Sequence, residues 1–242
     1  MYTCEFKVQP SNVSSKGTLK LRSLLDYFQD TAGLAVEDIE GTTTELIARG
    51  YAWVLTRYEI EILEGMPRLD EKFLINTYHD PSHGYNMLRA FEVKNSQGRE
   101  IIKAKSSWFL VELAKGRPVK SAVHLPEVLK RDTGNIDPNF QELKDFPDEE
   151  IIKSVEFQVK FHDLDYNSHV NNAIYFGWVY DECPIDFQAH EVKKIFASFR
   201  SGAKFGEKVK LNFARPSENI FACSLLREGV AKPGANFIFQ WE

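Results

Sequence analysis

Residues 171–183 read Asn-Asn-Ala-Ile-Tyr-Phe-Gly-Trp-Val-Tyr-Asp-Glu-Cys. From Ala173 to Val179 the side chains are apolar or aromatic on nearly every side of a helix, and Pro184 follows as a terminator, so a helix is expected from about Asn171 to Cys183. A helix with no polar face must be enclosed by other structure.

The flanking sequence provides the enclosure. Val155–Phe161 alternates as a strand and His162–Ser168 reads as a polar turn. Strands follow at Lys194–Ser201, Lys208–Phe213, Ile220–Arg227 and Phe237–Trp241. The first half repeats this order. A strand near Cys4–Val8 leads into a turn holding Ser11, Asn12, Ser14, Ser15 and Gly17. Leu21, Leu24, Leu25, Phe28 and Ala32 then share one helix face, with Gly33 as a stop. A short helix over Thr43–Ala48 precedes strands at Trp53–Ile62, Phe73–Tyr78, Asn86–Lys94 and Glu100–Leu113. Asn95-Ser96-Gln97-Gly98 closes a hairpin between the third and fourth of these first-half strands past the helix. Laying one helix on the other gives an offset of 151 residues, with Tyr27 over Trp178 and Asp30 over Asp181. Identity is low, so the repeat is architectural. The expected class is α+β: a tandem hot-dog, each unit an antiparallel sheet wrapped around a central helix. The boundaries are a unit over 1–125, a polar, Pro-containing linker over 126–150, and a unit over 151–242.

A formal charge of −5 and the lack of any basic stripe argue against nucleic acid. Three scattered cysteines, Cys4, Cys183 and Cys223, make neither a disulfide framework nor a zinc pattern, which fits a reducing compartment. Charges near the start, and no apolar run of membrane-spanning length, lead us to expect a soluble cytoplasmic protein.

The segment Asp163-Leu164-Asp165-Tyr166-Asn167-Ser168-His169-Val170-Asn171-Asn172 carries the chemistry. A solvated turn with an Asn helix cap explains such polarity without any activity. This loop, however, enters the N-terminus of a buried helix, where backbone N–H groups would polarise a carbonyl and stabilise an oxyanion. His169 can move a proton near neutral pH, and Asp165 or Asn167 can orient it or a water. Such chemistry needs no metal and no cofactor.

The same segment, with its downstream aromatic and Gly177-Trp178, is similar to the signature of plant and bacterial acyl–acyl carrier protein thioesterases. Trp53-Val54-Leu55-Thr56-Arg57 and Ala104-Lys105-Ser106-Ser107-Trp108 resemble two strands of that family, and Leu125-Pro126-Glu127-Val128 resembles its approach to the linker. The resemblance implies a double hot-dog fold, an acyl carrier protein bearing a fatty acyl thioester as partner, and Asp165, Asn167 and His169 as catalytic residues. It also implies that the first unit holds the acyl chain. The repeat offset puts Ser14, Lys16 and Thr18 at the three catalytic positions of that unit, so it is not expected to repeat the chemistry. One departure stands out. The family carries Glu, and in plants an adjacent Cys, after an aromatic–Arg pair; aligning on Phe199-Arg200 places Gly202 and Ala203 there. That favours activated water over a thiol nucleophile. It leaves Asp181 or Glu182, or Asp165 alone, to supply the carboxylate.

Cys183 at the helix end reads as packing. His79 and His83 flank Asp80-Pro81, which breaks a helical metal pair. The lysines and arginines from Lys103 to Arg131 form the densest basic region, a solvated surface or a contact for an acidic carrier. Two rivals remain: a hydrolase of coenzyme A thioesters, and an acyl-thioester-binding module without turnover, which the absent Glu at 202 keeps open. Hot-dog units pair sheet to sheet, within one chain or in a homodimer.

Overall fold

In a computed structural model of the chain, the described residues are 1–37, 42–125, 127, 134–183 and 190–241. Pro184, residues Pro126 and Val128 of the approach to the linker, and Lys130 and Arg131 of the basic region lie outside them. The chain divides into two compact units, Met1–Phe140 and Gln141–Glu242.

Unit 1 contains β1 (Tyr2–Lys7), α1 (Leu21–Leu34), α2 (Thr43–Ala48), β2 (Tyr51–Ile62), β3 (Lys72–His83), β4 (Asn86–Asn95), β5 (Glu100–Glu112), β6 (Arg117–Val119) and α3 (Ser121–His124). Its antiparallel sheet runs β1-β3-β4-β5-β2, with β6 paired to β5. Unit 2 contains β7 (Ile151–Gln158), α4 (Asn172–Glu182), β8 (Val192–Phe199), β9 (Lys208–Ser217), β10 (Ile220–Arg227) and β11 (Ala235–Trp241). Its antiparallel sheet runs β7-β9-β10-β11-β8, the same order element for element. Each unit is a hot-dog.

The central helices bury what their sequences dictate. Phe28 of α1 stacks on Phe91 of β4 at 4.5 Å between ring centroids and on Tyr58 of β2 at 6.3 Å. Ala173, Ile174, Tyr175, Phe176 and Val179 of α4 are all buried, and Phe176 meets Phe237 of β11 at 5.2 Å. Full burial of a Val, Ile or Phe side chain contributes roughly 1.5–3 kcal/mol. The offset of 151 residues survives into packing: Tyr27 meets Phe6, and Trp178 meets Phe157, both at 4.5 Å.

Some boundaries move. Gly33 does not stop α1, which continues to Leu34, because glycine ends a helix only where the chain needs a left-handed residue. Thr31 rather than Ala32 is the buried residue of its last turn, with its hydroxyl donating to the Tyr27 carbonyl at 2.7 Å. β7 spans Ile151–Gln158, and Phe161 opens a 3-10 turn instead of ending the strand. The 95–98 hairpin forms, with Gly98 at φ 78 and the Asn95 side chain accepting from the N–H groups of Gln97 and Arg99.

Candidate active site

The connection from β7 to α4 is a strap closed by its own hydrogen bonds. Leu164 and Val170 form an antiparallel bridge across it. Inside, Asp165 N–H donates to the His169 carbonyl at 2.8 Å, and Ser168 N–H to the Asp165 carbonyl at 3.0 Å. Ser168 takes the left-handed conformation, φ 60, to make the turn. The Asp165 carboxylate clasps the loop, Oδ1 accepting from Asn167 N–H at 2.8 Å and from His169 N–H at 3.3 Å. The three residues singled out in the sequence therefore share one half-buried strap.

His169 Nδ1 lies 2.9 Å from the Asn167 carbonyl oxygen. A carbonyl only accepts, so this contact assigns the hydrogen to Nδ1 and leaves the lone pair of the neutral ring on Nε2. It is the backbone of Asn167 that orients the imidazole, leaving the amide side chain for other work.

A second segment braces the strap. Val170 N–H donates to the Ala203 carbonyl at 2.9 Å, and His169 pairs with Lys204 in an antiparallel bridge. Ala203 N–H in turn donates to the hydroxyl of Tyr175 on α4 at 2.8 Å. Burial drives the Tyr175 pKa up to about 12, against the opposing pull of the Ala203 N–H and Arg227. Gly202 faces the imidazole, so the position at which the sequence lacks a carboxylate is beside His169. Neither carboxylate of α4 makes good the lack: Glu182 lies ten residues, about 15 Å, from the start of the helix, and it pairs with Lys153 at 3.1 Å. Asp181 shares that far end.

The N-terminus of α4 is largely satisfied. Asn171 caps it, its side chain accepting from Ala173 N–H and its carbonyl from Ile174 N–H, both at 2.9 Å, while its own N–H donates to the Asp163 carbonyl. From Val170 to Ile174, only the N–H of Asn172 has no acceptor among the described residues.

Unit 1 builds the same strap with different side chains. Val13 and Leu19 bridge, Ser14 N–H donates to the Thr18 carbonyl at 2.8 Å, and Gly17 stands at φ 72 where unit 2 has Ser168. Leu19 N–H donates to the Pro67 carbonyl as Val170 does to Ala203, so Met66 takes the place of Gly202. Ser14 Oγ even accepts from Lys16 N–H at 3.2 Å, as Asp165 does from Asn167. Ser14, Lys16 and Thr18 offer no imidazole and no carboxylate.

Other candidate groups do not gather. Cys183 is buried at the end of α4, with its thiol donating to the Tyr180 carbonyl. The described residues hold no group of three or more His, Cys, Asp or Glu placed to bind a metal. Much of the basic region is neutralised locally: Lys105 pairs with Glu59 and Asp137, Lys103 with Glu100, and Lys115 with Glu112. Among the described residues no helix is long and apolar enough to cross a membrane.

Comparison with known proteins agrees with fold and motif together. The family description "Acyl-ACP thioesterase N-terminal domain" matches residues 1–128, and "Acyl-ACP thioesterase C-terminal domain" matches residues 147–241. A chloroplastic palmitoyl-acyl carrier protein thioesterase of Gossypium hirsutum is 26% identical over 223 residues, 83% of this chain and 51% of its own length. The chain thus spans about half the length of the curated relatives it matches. An acyl-ACP thioesterase from Bacteroides thetaiotaomicron superposes with a TM-score of 0.85 at 23% identity, covering 99% of this chain and 97% of the other. The 12:0-ACP thioesterase from Umbellularia californica gives 0.87 at 17%, covering 100% and 96%. At those identities the two structures speak to the fold, which is the double hot-dog. With both halves of the chain matched in order, the protein belongs to the acyl-acyl carrier protein thioesterase family.

Proposed function

We propose that the chain hydrolyses fatty acyl thioesters of acyl carrier protein, releasing the free fatty acid and the carrier thiol. The observation that carries this reading is the 2.9 Å contact of His169 Nδ1 with the Asn167 carbonyl, which assigns the hydrogen to Nδ1 and, in the neutral ring, leaves Nε2 as a base. In this scheme Nε2 takes a proton from water as the oxygen adds to the thioester carbonyl. The Asn172 N–H at the helix N-terminus stabilises the oxyanion. Collapse breaks the C–S bond, and the leaving thiolate recovers the proton from His169. Asp165 holds the strap, and the Asn167 amide positions the water or the carbonyl.

Unit 1, whose strap lacks these groups, holds the acyl chain. Exposed Phe161, Tyr166 and Phe205, with Lys160 and Lys204 beside them, form an apolar and basic rim around the strap. That rim suits an acidic carrier better than the region near the linker, where Lys103, Lys105 and Lys115 are each paired with a carboxylate. Free Cys4, Cys183 and Cys223 fit a reducing compartment such as the cytoplasm.

Gly202 favours one second reading, a binding module without turnover. The deciding experiment measures free thiol released from carrier and coenzyme A thioesters of several chain lengths, by the native chain and by His169→Ala. We expect carrier thioesters to turn over, with a loss of two or more orders of magnitude in the variant. Preference for coenzyme A thioesters would reassign the substrate, and binding without product at any length would establish the binding module.

A further inference from the structure

The strap is built alike in the two units, but the turn behind it is held differently. Residues 202–207 form that turn in unit 2 and residues 66–71 in unit 1. Val159 N–H donates to the Glu207 carbonyl at 2.9 Å, and Gly206 N–H to the Val159 carbonyl at 3.1 Å. Val8 N–H donates to the Glu71 carbonyl at 3.0 Å, and Asp70 N–H to the Val8 carbonyl at 3.2 Å. Gly206 stands at φ 78 and Asp70 at φ 67. The two turns correspond residue by residue.

In unit 2 one end of the turn is tied to the central helix. Tyr175 is 1% exposed and Ala203 wholly buried, and the tyrosine hydroxyl accepts from the Ala203 N–H at 2.8 Å. The ring is packed against Trp178 at 5.4 Å and Phe199 at 6.1 Å. In unit 1 the offset of 151 residues puts Leu24 in the place of Tyr175, and Pro67 takes that of Ala203. A leucine side chain offers no acceptor and a proline no N–H. Donor and acceptor are therefore a matched pair, present where the strap carries an imidazole and missing together where it does not.

The other end of the turn is tied to β10. Arg227 donates to both carboxylate oxygens of Glu207, from Nε and from Nη2, each at 2.8 Å. The same carboxylate accepts from the Lys204 N–H. In unit 1 Glu71 accepts likewise from the Arg68 N–H at 2.9 Å. Arg227 lies opposite Val209, however, where unit 1 sets Asn95 opposite Phe73. The Asn95 side chain serves its own hairpin, accepting from Gln97 and Arg99. Two-pronged pairing of guanidinium with carboxylate fixes geometry as well as charge.

Between these ties stands the histidine. His169 pairs with Lys204, and Gly202 faces its ring. We propose that Tyr175 is a positioning residue for hydrolysis, its hydroxyl holding the 202–207 turn so that His169 keeps its place, with the Glu207–Arg227 pair fixing the other end of that turn. This rests on the reading of His169 as the base. The fold does not need the ties, since unit 1 makes its strap without them.

The test sets kinetics beside the ring-nitrogen spectrum of His169 in the full chain, recorded with the imidazole neutral and assigned through His169→Ala. The native spectrum should show the Nδ1–H form. Tyr175→Phe keeps the ring packing and removes the acceptor. It should lower kcat about ten-fold or more, on the carrier thioester the native chain turns over fastest, with KM within about two-fold. Its His169 spectrum should gain the Nε2–H form. Arg227→Met should do the same from the far end of the turn, and serves alone if Tyr175→Phe does not fold. Arg227→Lys, which keeps the charge and loses the planar fork, should recover part of kcat. An His169 spectrum identical to the native one, or a kcat within about two-fold of native, overturns the proposal. Absence of turnover by the native chain would count against the hydrolase alone, and the spectra would still decide whether Tyr175 positions His169.

Discussion

Gly202 lies against the imidazole of His169: a β-carbon at residue 202 would stand 3.2 Å from Cδ2 and 3.4 Å from the His169 Cβ. Such contacts are tight enough to push the ring by a few tenths of an ångström. If His169 is the base of the proposed reaction, Gly202→Ala is expected to lower turnover about ten-fold, since small misplacements of a reacting group are costly. Its thermal midpoint should stay within a few degrees of the native value. Steady-state kinetics beside a melting curve would check both halves.

The Asp165 carboxylate holds the strap through the N–H groups of Asn167 and His169. Asp165→Ala deprives the N–H groups of Asn167 and His169 of their acceptor, at about 1–3 kcal/mol, and should abolish turnover with the fold weakened. Asp165→Asn keeps an oxygen for both bonds, so urea denaturation should place it within about 1 kcal/mol of the native chain. Turnover lost in the Asn variant at unchanged stability would show that the carboxylate charge also serves the reaction.

Ser168 is held at φ 60, where unit 1 has Gly17 at φ 72. A β-branched side chain is poorly tolerated there, so Ser168→Val should cost about 1–2 kcal/mol. Ser168→Gly should change stability by less than about 1 kcal/mol, relief of strain offsetting the entropy of glycine. Chemical denaturation of the two variants gives the comparison directly.

The Tyr175 hydroxyl makes stability depend on alkaline pH. Its folded pKa is about 12, while an unfolded tyrosine ionises near 10. The folded state thus holds the proton more tightly. The associated stability is fully present below pH 10 and is lost as pH rises from 10 to 12. Tyr58 and Tyr180 shift the same way through burial, so the contribution of Tyr175 is the difference between the native chain and Tyr175→Phe. Denaturation midpoints at pH 9, 10 and 11 should show that difference narrowing, with Tyr175→Phe less stable at pH 9 because Ala203 N–H loses its acceptor.

Much of this architecture is legible in the sequence because it rests on local pattern. The apolar run from Ala173 to Val179 requires an enclosing sheet, and a 151-residue offset read from two helices brings Phe6–Tyr27 onto Phe157–Trp178. The strap is equally local, with Asp165, Asn167 and His169 lying within five residues. What the sequence conceals is set at long range. The brace from Tyr175 to Ala203 and the pairing of His169 with Lys204 depend on how a distant turn folds back. Arg89 alternates along β4 like any surface charge, and only the register that aligns it with Ser106 and Tyr58 shows it to be interior. β3 continues past Tyr78 to His83 through a register shift between Asp80 and His83, where Pro81 would ordinarily mark the end of a strand.

The strap of unit 1 keeps its bridge, its left-handed residue and its brace while carrying Ser14, Lys16 and Thr18 in place of Asp165, Asn167 and His169. Its frame is therefore indifferent to its cargo. A backbone trace of the two straps would not tell which of them carries the imidazole and the carboxylate. Two units built on one strand order can in this way share their hydrogen bonds and differ in what their side chains offer.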